Sequence, residues 1–157
     1  MIHLSWLKSI RLQPIGFIER LSSDERDFSA ISKVVLKDSL ADALLGIEEF
    51  SHIFIIFWLH EMQIREDGSW VHPSCSDNQH LIGFLATRAP RRPNPIGLTL
   101  VELVNHENNV LWVKGLDAVD GTPVIDIKPY PDWHTGECQV IVDYRIPDWL
   151  KQLLDSS

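Results

Sequence analysis

Leu98-Thr99-Leu100-Val101-Glu102-Leu103-Val104, then His106-Glu107-Asn108-Asn109, then Val110-Leu111-Trp112-Val113 follow one another with only Asn105 between. Two apolar, β-rich runs joined by a polar turn read as a β-hairpin, because Asn enters the left-handed region at little cost. Outward from this hairpin the same signature repeats. Residues 12–18, 33–36, 52–59, 81–86, 124–127 and 139–142 are short, rich in β-branched side chains and punctuated by Gly, Pro, Asn and Asp. Ile53-Phe54-Ile55-Ile56-Phe57-Trp58 is apolar on both faces, which places it as a central strand covered on each side. Two stretches read as helix: 40–45, stopped by Gly46, and 148–154 after Pro147. Many short strands with few helices predict a mainly β fold, an antiparallel barrel or sandwich rather than βαβ units.

The 157 residues suffice for one domain with a buried core, and 45% of them are apolar. The expectation is a single domain over 1–157, its informative motifs concentrated in 84–130. The longest apolar run, 53–59, is far too short to span a bilayer, and the N-terminus lacks the basic-then-apolar pattern of a leader. Cys75 and Cys138 fit reduced thiols in the cytoplasm. A net charge of -8 opposes a broad nucleic-acid surface. Arg88, Arg91 and Arg92 nevertheless form a local basic spot, while Asp24, Glu25, Asp27, Asp42, Glu48 and Glu49 crowd the first third. No glycine-rich dinucleotide or phosphate loop is present. The seven histidines form neither HExxH nor HxH, so no metal is expected.

Two segments carry residues that a core does not need. In Ala86-Thr87-Arg88-Ala89-Pro90-Arg91-Arg92-Pro93-Asn94-Pro95-Ile96-Gly97, three prolines fix their own φ and push the residue before each towards extended geometry. Such rigidity lowers the entropy lost on meeting a ligand, and an arginine fork suits a carboxylate or phosphate. The alternative is a surface loop whose prolines blunt a sheet edge. The second segment, residues 115–130, sets Asp117 and an Asp120-Gly121 turn before Val124-Ile125-Asp126-Ile127-Lys128-Pro129-Tyr130. Alternation there predicts Val124, Asp126 and Lys128 on one face, with Ile125, Ile127 and Pro129 on the other. Its aspartates suit a ribose diol, a cation or a proton; an exposed Asp/Lys pair is the plainer alternative. His60-Glu61 follows the apolar strand, where sheet proteins often present binding groups.

Together these segments, with Asp42-Ala43, Gly46-Ile47, Phe50-Ser51-His52 and Trp58-Leu59-His60, closely resemble the signature of the TsaA-like family over residues 12–143. The best-known members of that family methylate N6 of the threonylcarbamoylated adenosine beside the tRNA anticodon. The resemblance implies a β-barrel, S-adenosylmethionine as methyl donor, tRNA as partner and a homodimer. It implies cofactor contacts from His60, Glu61, Arg88, Leu98, Lys114, Gly115, Leu116 and Asp117. Arg92 and Asn94 would then receive the acceptor. Asp126 would accept a hydrogen bond from the amine, beside Lys128 and a stacking Tyr130, as catalytic residues. Arg20-Leu21-Ser22-Ser23-Asp24-Glu25-Arg26 stands where long members carry a Pro-Arg-Gln-type loop that contributes to the cofactor site. That difference and the acidic body keep open a small-molecule or different RNA acceptor, and the absence of a classical base or metal motif keeps open a cofactor-binding sensor without catalysis.

Overall fold

The computed structural model describes residues 10–24, 27, 29–63, 70–71 and 82–130. They belong to two compact units, Met1–His60 with Gly97–Tyr130, and Glu61–Ile96 with Pro131–Ser157. The strand expected at 139–142 and the helix at 148–154 lie outside the described residues. In chain order the described strands are β1 (Gly16–Arg20), β2 (Ile31–Leu36), β3 (His52–Trp58), β4 (Trp70–Val71), β5 (Ile82–Gly83), β6 (Ile96–Glu107), β7 (Val110–Lys114) and β8 (Pro123–Tyr130).

The first unit is a closed antiparallel barrel in the order β1-β2-β7-β6-β3-β8. The hairpin read from the sequence is its β6–β7 pair. Asn108 takes φ 53° at the turn, and the register runs from Glu107 opposite Val110 to Glu102 opposite Lys114. Asn109 Nδ2 ties this turn to the end of β2 by donating to the Leu36 carbonyl at 2.6 Å and to Asp38 Oδ1 at 3.0 Å. Ile18, Val34, Ile53, Ile55, Phe57, Val101, Leu111, Val113 and Val124 point inward and are fully buried, the strand alternation expected of a barrel interior. β3 is covered on both sides as expected, though unequally: Ile53, Ile55 and Phe57 are buried, and Phe54, Ile56 and Trp58 on the outer face are half-buried.

β8 departs from simple alternation. Ile56 pairs with Asp126 but Phe57 pairs with Val124, so Ile125 is an extra residue in the ladder, a β-bulge. Before the bulge, even-numbered Val124 faces the core. After it the inward positions are odd-numbered, Ile127 packs against the core, and Asp126, Lys128 and Tyr130 face outward. Val124 therefore does not share a face with Asp126 and Lys128 as strict alternation requires.

Three expected elements change character. The strand expected at 12–18 begins only at Gly16, two residues after Pro14, which has no N–H to give a ladder. The segment 40–45 is a 3-10 helix, Asp38–Leu44, with i to i−3 bonds such as Leu40 N–H to the Lys37 carbonyl at 2.8 Å. It has no side-chain N-cap and runs into left-handed Gly46, so it never builds the longer α-helical ring. In the second unit the strand expected at 81–86 shrinks to β5, paired with β4, and the chain then turns into a 3-10 segment, Phe84–Ala86.

Gly97 marks the start of β6 within the barrel, and its role is steric. A Cβ there would sit inside the van der Waals envelope of the Phe57 ring, itself fixed in the core. Gly97→Ala is expected to lower stability by about 1–3 kcal/mol through overpacking. Equilibrium urea denaturation checks this, and an unchanged midpoint would contradict it.

Candidate functional site

Strand direction gathers the barrel's ligand-binding candidates at one end. β1 and β7 finish there, at Arg20 and Lys114, while β2 and β6 begin there, as the pairs Arg20–Ser32 and Ile31–Lys114 show. The same end carries Leu98, the 114–117 segment, and His60 just after β3. Gly115 has φ 92°, a turn that side-chain-bearing residues rarely adopt, and it redirects the chain out of β7. Leu116 is buried, while Lys114, Asp117, His60 and Leu98 are exposed.

Two polar contacts set this loop. The Thr99 hydroxyl, on β6, donates to Asp117 Oδ1. From β1, Arg20 Nη1 donates to the carbonyls of Leu116 (3.3 Å) and Ala118 (3.1 Å), and the Arg20 N–H donates to Asp120 Oδ1 at 2.8 Å. The Asp120-Gly121 turn forms as expected, with Gly121 at φ 72° and its N–H on the Ile18 carbonyl at 2.8 Å. Neither Arg20 nor Thr99 was singled out from the sequence. The available signal for Thr99 was a hydroxyl between two outward leucines, at a position whose strand parity points inward.

Asp126, Lys128 and Tyr130 lie elsewhere, along the outer face of β8 and progressively towards the opposite end of the barrel. Lys128 Nζ is 2.8 Å from Asp126 Oδ2, and the Ile127 N–H donates to Asp126 Oδ1 at 2.9 Å. Both side chains of that ion pair are about half exposed, so it contributes little to stability. Tyr130 meets the Phe54 ring edge-on, with centroids 5.6 Å apart at 89°. Asp126, Ile127 and Pro129 form one side of a cleft of about 400 Å³, whose other walls include Ile15, Leu40 and Phe50. That volume lies at the small end of the range of ligand sites.

Glu61, Arg88, Arg92 and Asn94 belong to the second unit. Arg92 is turned onto its own loop: Nη1 donates to the carbonyls of Phe84 (3.3 Å), Thr87 (2.9 Å) and Ala89 (3.2 Å). The Thr87 hydroxyl donates to the Phe84 carbonyl at 2.8 Å and accepts from the Ala89 N–H at 3.1 Å. These bonds bracket Arg88 on both sides and leave it exposed. The Ile96 N–H closes the loop on the Asn94 carbonyl at 2.8 Å. Among the described residues, no group of three His, Cys, Asp or Glu could hold a metal ion, and no helix is long and apolar enough to cross a membrane.

On the barrel, the Thr99-supported Asp117 suits a ribose diol and the exposed Leu98 suits an adenine face, the two parts of a nucleoside such as that of S-adenosylmethionine. On the second unit, the exposed Arg88 guanidinium suits a carboxylate or a phosphate. Comparisons with known proteins point to the same class of ligand. Residues 24–134 match the family described as the tRNA-methyltransferase O N-terminal domain. A probable S-adenosyl-L-methionine-binding protein of Methanothermobacter thermautotrophicus is 42% identical over 130 residues, 77% of this chain and 90% of that protein. The tRNA (adenine(37)-N6)-methyltransferase of Escherichia coli is 47% identical over 97 residues, 57% of this chain but 40% of the enzyme. In structure, TrmO from Pseudomonas aeruginosa superposes with a TM-score of 0.68 at 29% identity, covering 91% of this chain and 62% of that one.

Replacing Arg92 by Ala removes the donor that three carbonyls share. Exchange at the Thr87 and Ala89 amides is expected to rise about tenfold or more, the equivalent of one charge-assisted hydrogen bond. Hydrogen-exchange mass spectrometry checks this, and unchanged protection over 84–92 would show that the prolines alone hold the loop.

Proposed function

The chain belongs to the tRNA-methyltransferase O N-terminal domain family, and on that basis we propose that it is an S-adenosylmethionine-dependent methyltransferase of tRNA. The proposed acceptor is N6 of the threonylcarbamoylated adenosine beside the anticodon. The observation that carries the reading is the loop 115–121, pinned at one barrel end with Asp117 exposed and supported by Thr99.

S-adenosylmethionine supplies, when bound, an electrophilic methyl on a sulfonium. On the barrel, Asp117 would accept from the ribose hydroxyls, Leu98 would cover an adenine face, and the Gly115–Leu116 backbone, His60 and Lys114 would complete the contacts. On the second unit, Arg88 would hold the carboxylate, and Glu61 would act as a further cofactor contact. For the acceptor, Asp126 would take a hydrogen bond from the amine N–H, sharpening a nucleophile whose lone pair is delocalised into the ring. Lys128 would restrain that carboxylate, Tyr130 would stack on a base, and Arg92 and Asn94 would receive the RNA. In-line displacement rewards alignment by up to ~7–11 kcal/mol, so holding the partners supplies much of the acceleration.

A cytoplasmic homodimer belongs to the same proposal. The outward-facing Leu100 and Val104 of β6 are both more than 40% exposed and offer apolar area for a second copy. The double variant Leu100→Glu, Val104→Glu should then sediment as a monomer; a wild-type monomer would remove the dimer from the proposal. The net charge of -8 favours a second reading, the same cofactor with a small acceptor. Failure to bind tRNA at any salt concentration would select it.

Calorimetric titration with S-adenosylmethionine, followed by assay of S-adenosylhomocysteine release, tests the enzyme reading. Arg88→Ala should abolish cofactor binding. Asp126→Ala should leave binding intact and slow transfer about 10²-fold or more. Absence of binding by the wild type would overturn the proposal.

A further inference from the structure

Arg20 closes β1 at the barrel end that carries residues 114–117, and its guanidinium serves two loops at once. Nη1 donates to the Leu116 and Ala118 carbonyls at 3.3 and 3.1 Å. Nη2 donates to the Asp24 and Asp27 carbonyls at 3.3 and 2.9 Å. Four backbone oxygens on two segments therefore converge on one planar fork. A lysine could not replace it, because a single ammonium point cannot serve two divergent pairs of carbonyls.

Each segment also has its own brace. The Asp27 N–H donates to the Asp24 carbonyl at 3.2 Å, and the Ser29 hydroxyl donates to Asp27 Oδ1 at 2.6 Å. The Ser29 hydroxyl first, with backbone N–H groups and Arg20 adding to it, holds the Asp27 carboxyl below its ordinary 3.8. On the other side, Asp117 is held by Thr99. Arg20 is the described group that links the two braced segments.

We propose that Arg20 is a positioning residue that sets cofactor affinity by fixing the 116–118 backbone against the Asp24–Asp27 turn. The proposal rests on reading residues 114–117 as the nucleoside-binding segment. Without the fork, the Leu116 and Ala118 carbonyls turn to water and Asp117 loses its fixed place beside Thr99.

Two measurements on Arg20→Lys and Arg20→Gln test it, with Glu19→Gln as control, since Glu19 pairs only with Lys33, at 3.1 Å, among the contacts described. In ligand-free protein, hydrogen exchange over 115–120 should accelerate about tenfold in both Arg20 variants, while barrel amides keep their protection. The dissociation constant for S-adenosylmethionine, by calorimetry, should rise at least about tenfold in the same variants and stay unchanged in the control. Faster exchange with wild-type affinity would overturn the proposal, as would unchanged exchange. Loss of protection throughout the barrel would also overturn it, by making Arg20 a residue of the fold. Wild-type protein that binds no S-adenosylmethionine would instead bring down the reading of 114–117 on which the proposal stands.

Discussion

What the barrel presents to a ligand depends on how β8 closes it. β8 pairs with β1 through Val124 and Pro123 only, and with β3 along the rest of its length. Between those two pairings Ile125 is bulged out of the ladder, which bends the strand and resets its parity. Val124 then seals the core from one side of the bulge and Ile127 from the other, while Asp126, Lys128 and Tyr130 are delivered to the outer face. Without the extra residue, one of those two sets would face the wrong medium: either Val124 would be exposed or a carboxylate and an ammonium would enter an apolar core, at a cost of several kcal/mol.

The loops are held by a different device used twice. Arg20 on the barrel and Arg92 on the second unit each direct guanidinium N–H groups at backbone carbonyls of neighbouring turns. Such charge-assisted bonds are worth roughly 1.5–3 kcal/mol each where they are shielded from water. They satisfy carbonyls that no ladder reaches, and they make the loop shape a property of the fold rather than of a bound ligand. Preorganisation of this kind lowers the ordering cost that binding must offset. The two arginines therefore support exposed neighbours, Asp117 in one case and Arg88 in the other.

Much of this was legible in the sequence because the relevant signals are local. The Asn108 turn, the Asp120-Gly121 turn and the β6–β7 hairpin each follow from residues adjacent in the chain, and the family resemblance brought the barrel with them. The bulge was not legible: Val124 and Ile125 are both apolar and β-branched, so nothing local says which of them faces the core. The 40–45 segment has the leucines and alanines of a helix, but its missing cap and early Gly46 leave it as 3-10. Arg92 illustrates a deeper limit. Its fork is satisfied equally well by a phosphate or by three carbonyls, and the choice depends on where Phe84, Thr87 and Ala89 bring their oxygens. The placement of His60, Leu98 and residues 114–117 at one barrel end likewise needed strand direction, which spacing alone does not supply.

Methyl transfer to tRNA is read most simply by following the methyl group. Purified protein is incubated with S-adenosylmethionine carrying an isotopically labelled methyl group and with tRNA from a strain lacking this gene, and the tRNA is digested to nucleosides. Label is expected in a single nucleoside, the N6-methylated form of threonylcarbamoyladenosine, with no incorporation into tRNA that lacks the threonylcarbamoyl group. Cofactor binding without label in any tRNA nucleoside would contradict that expectation.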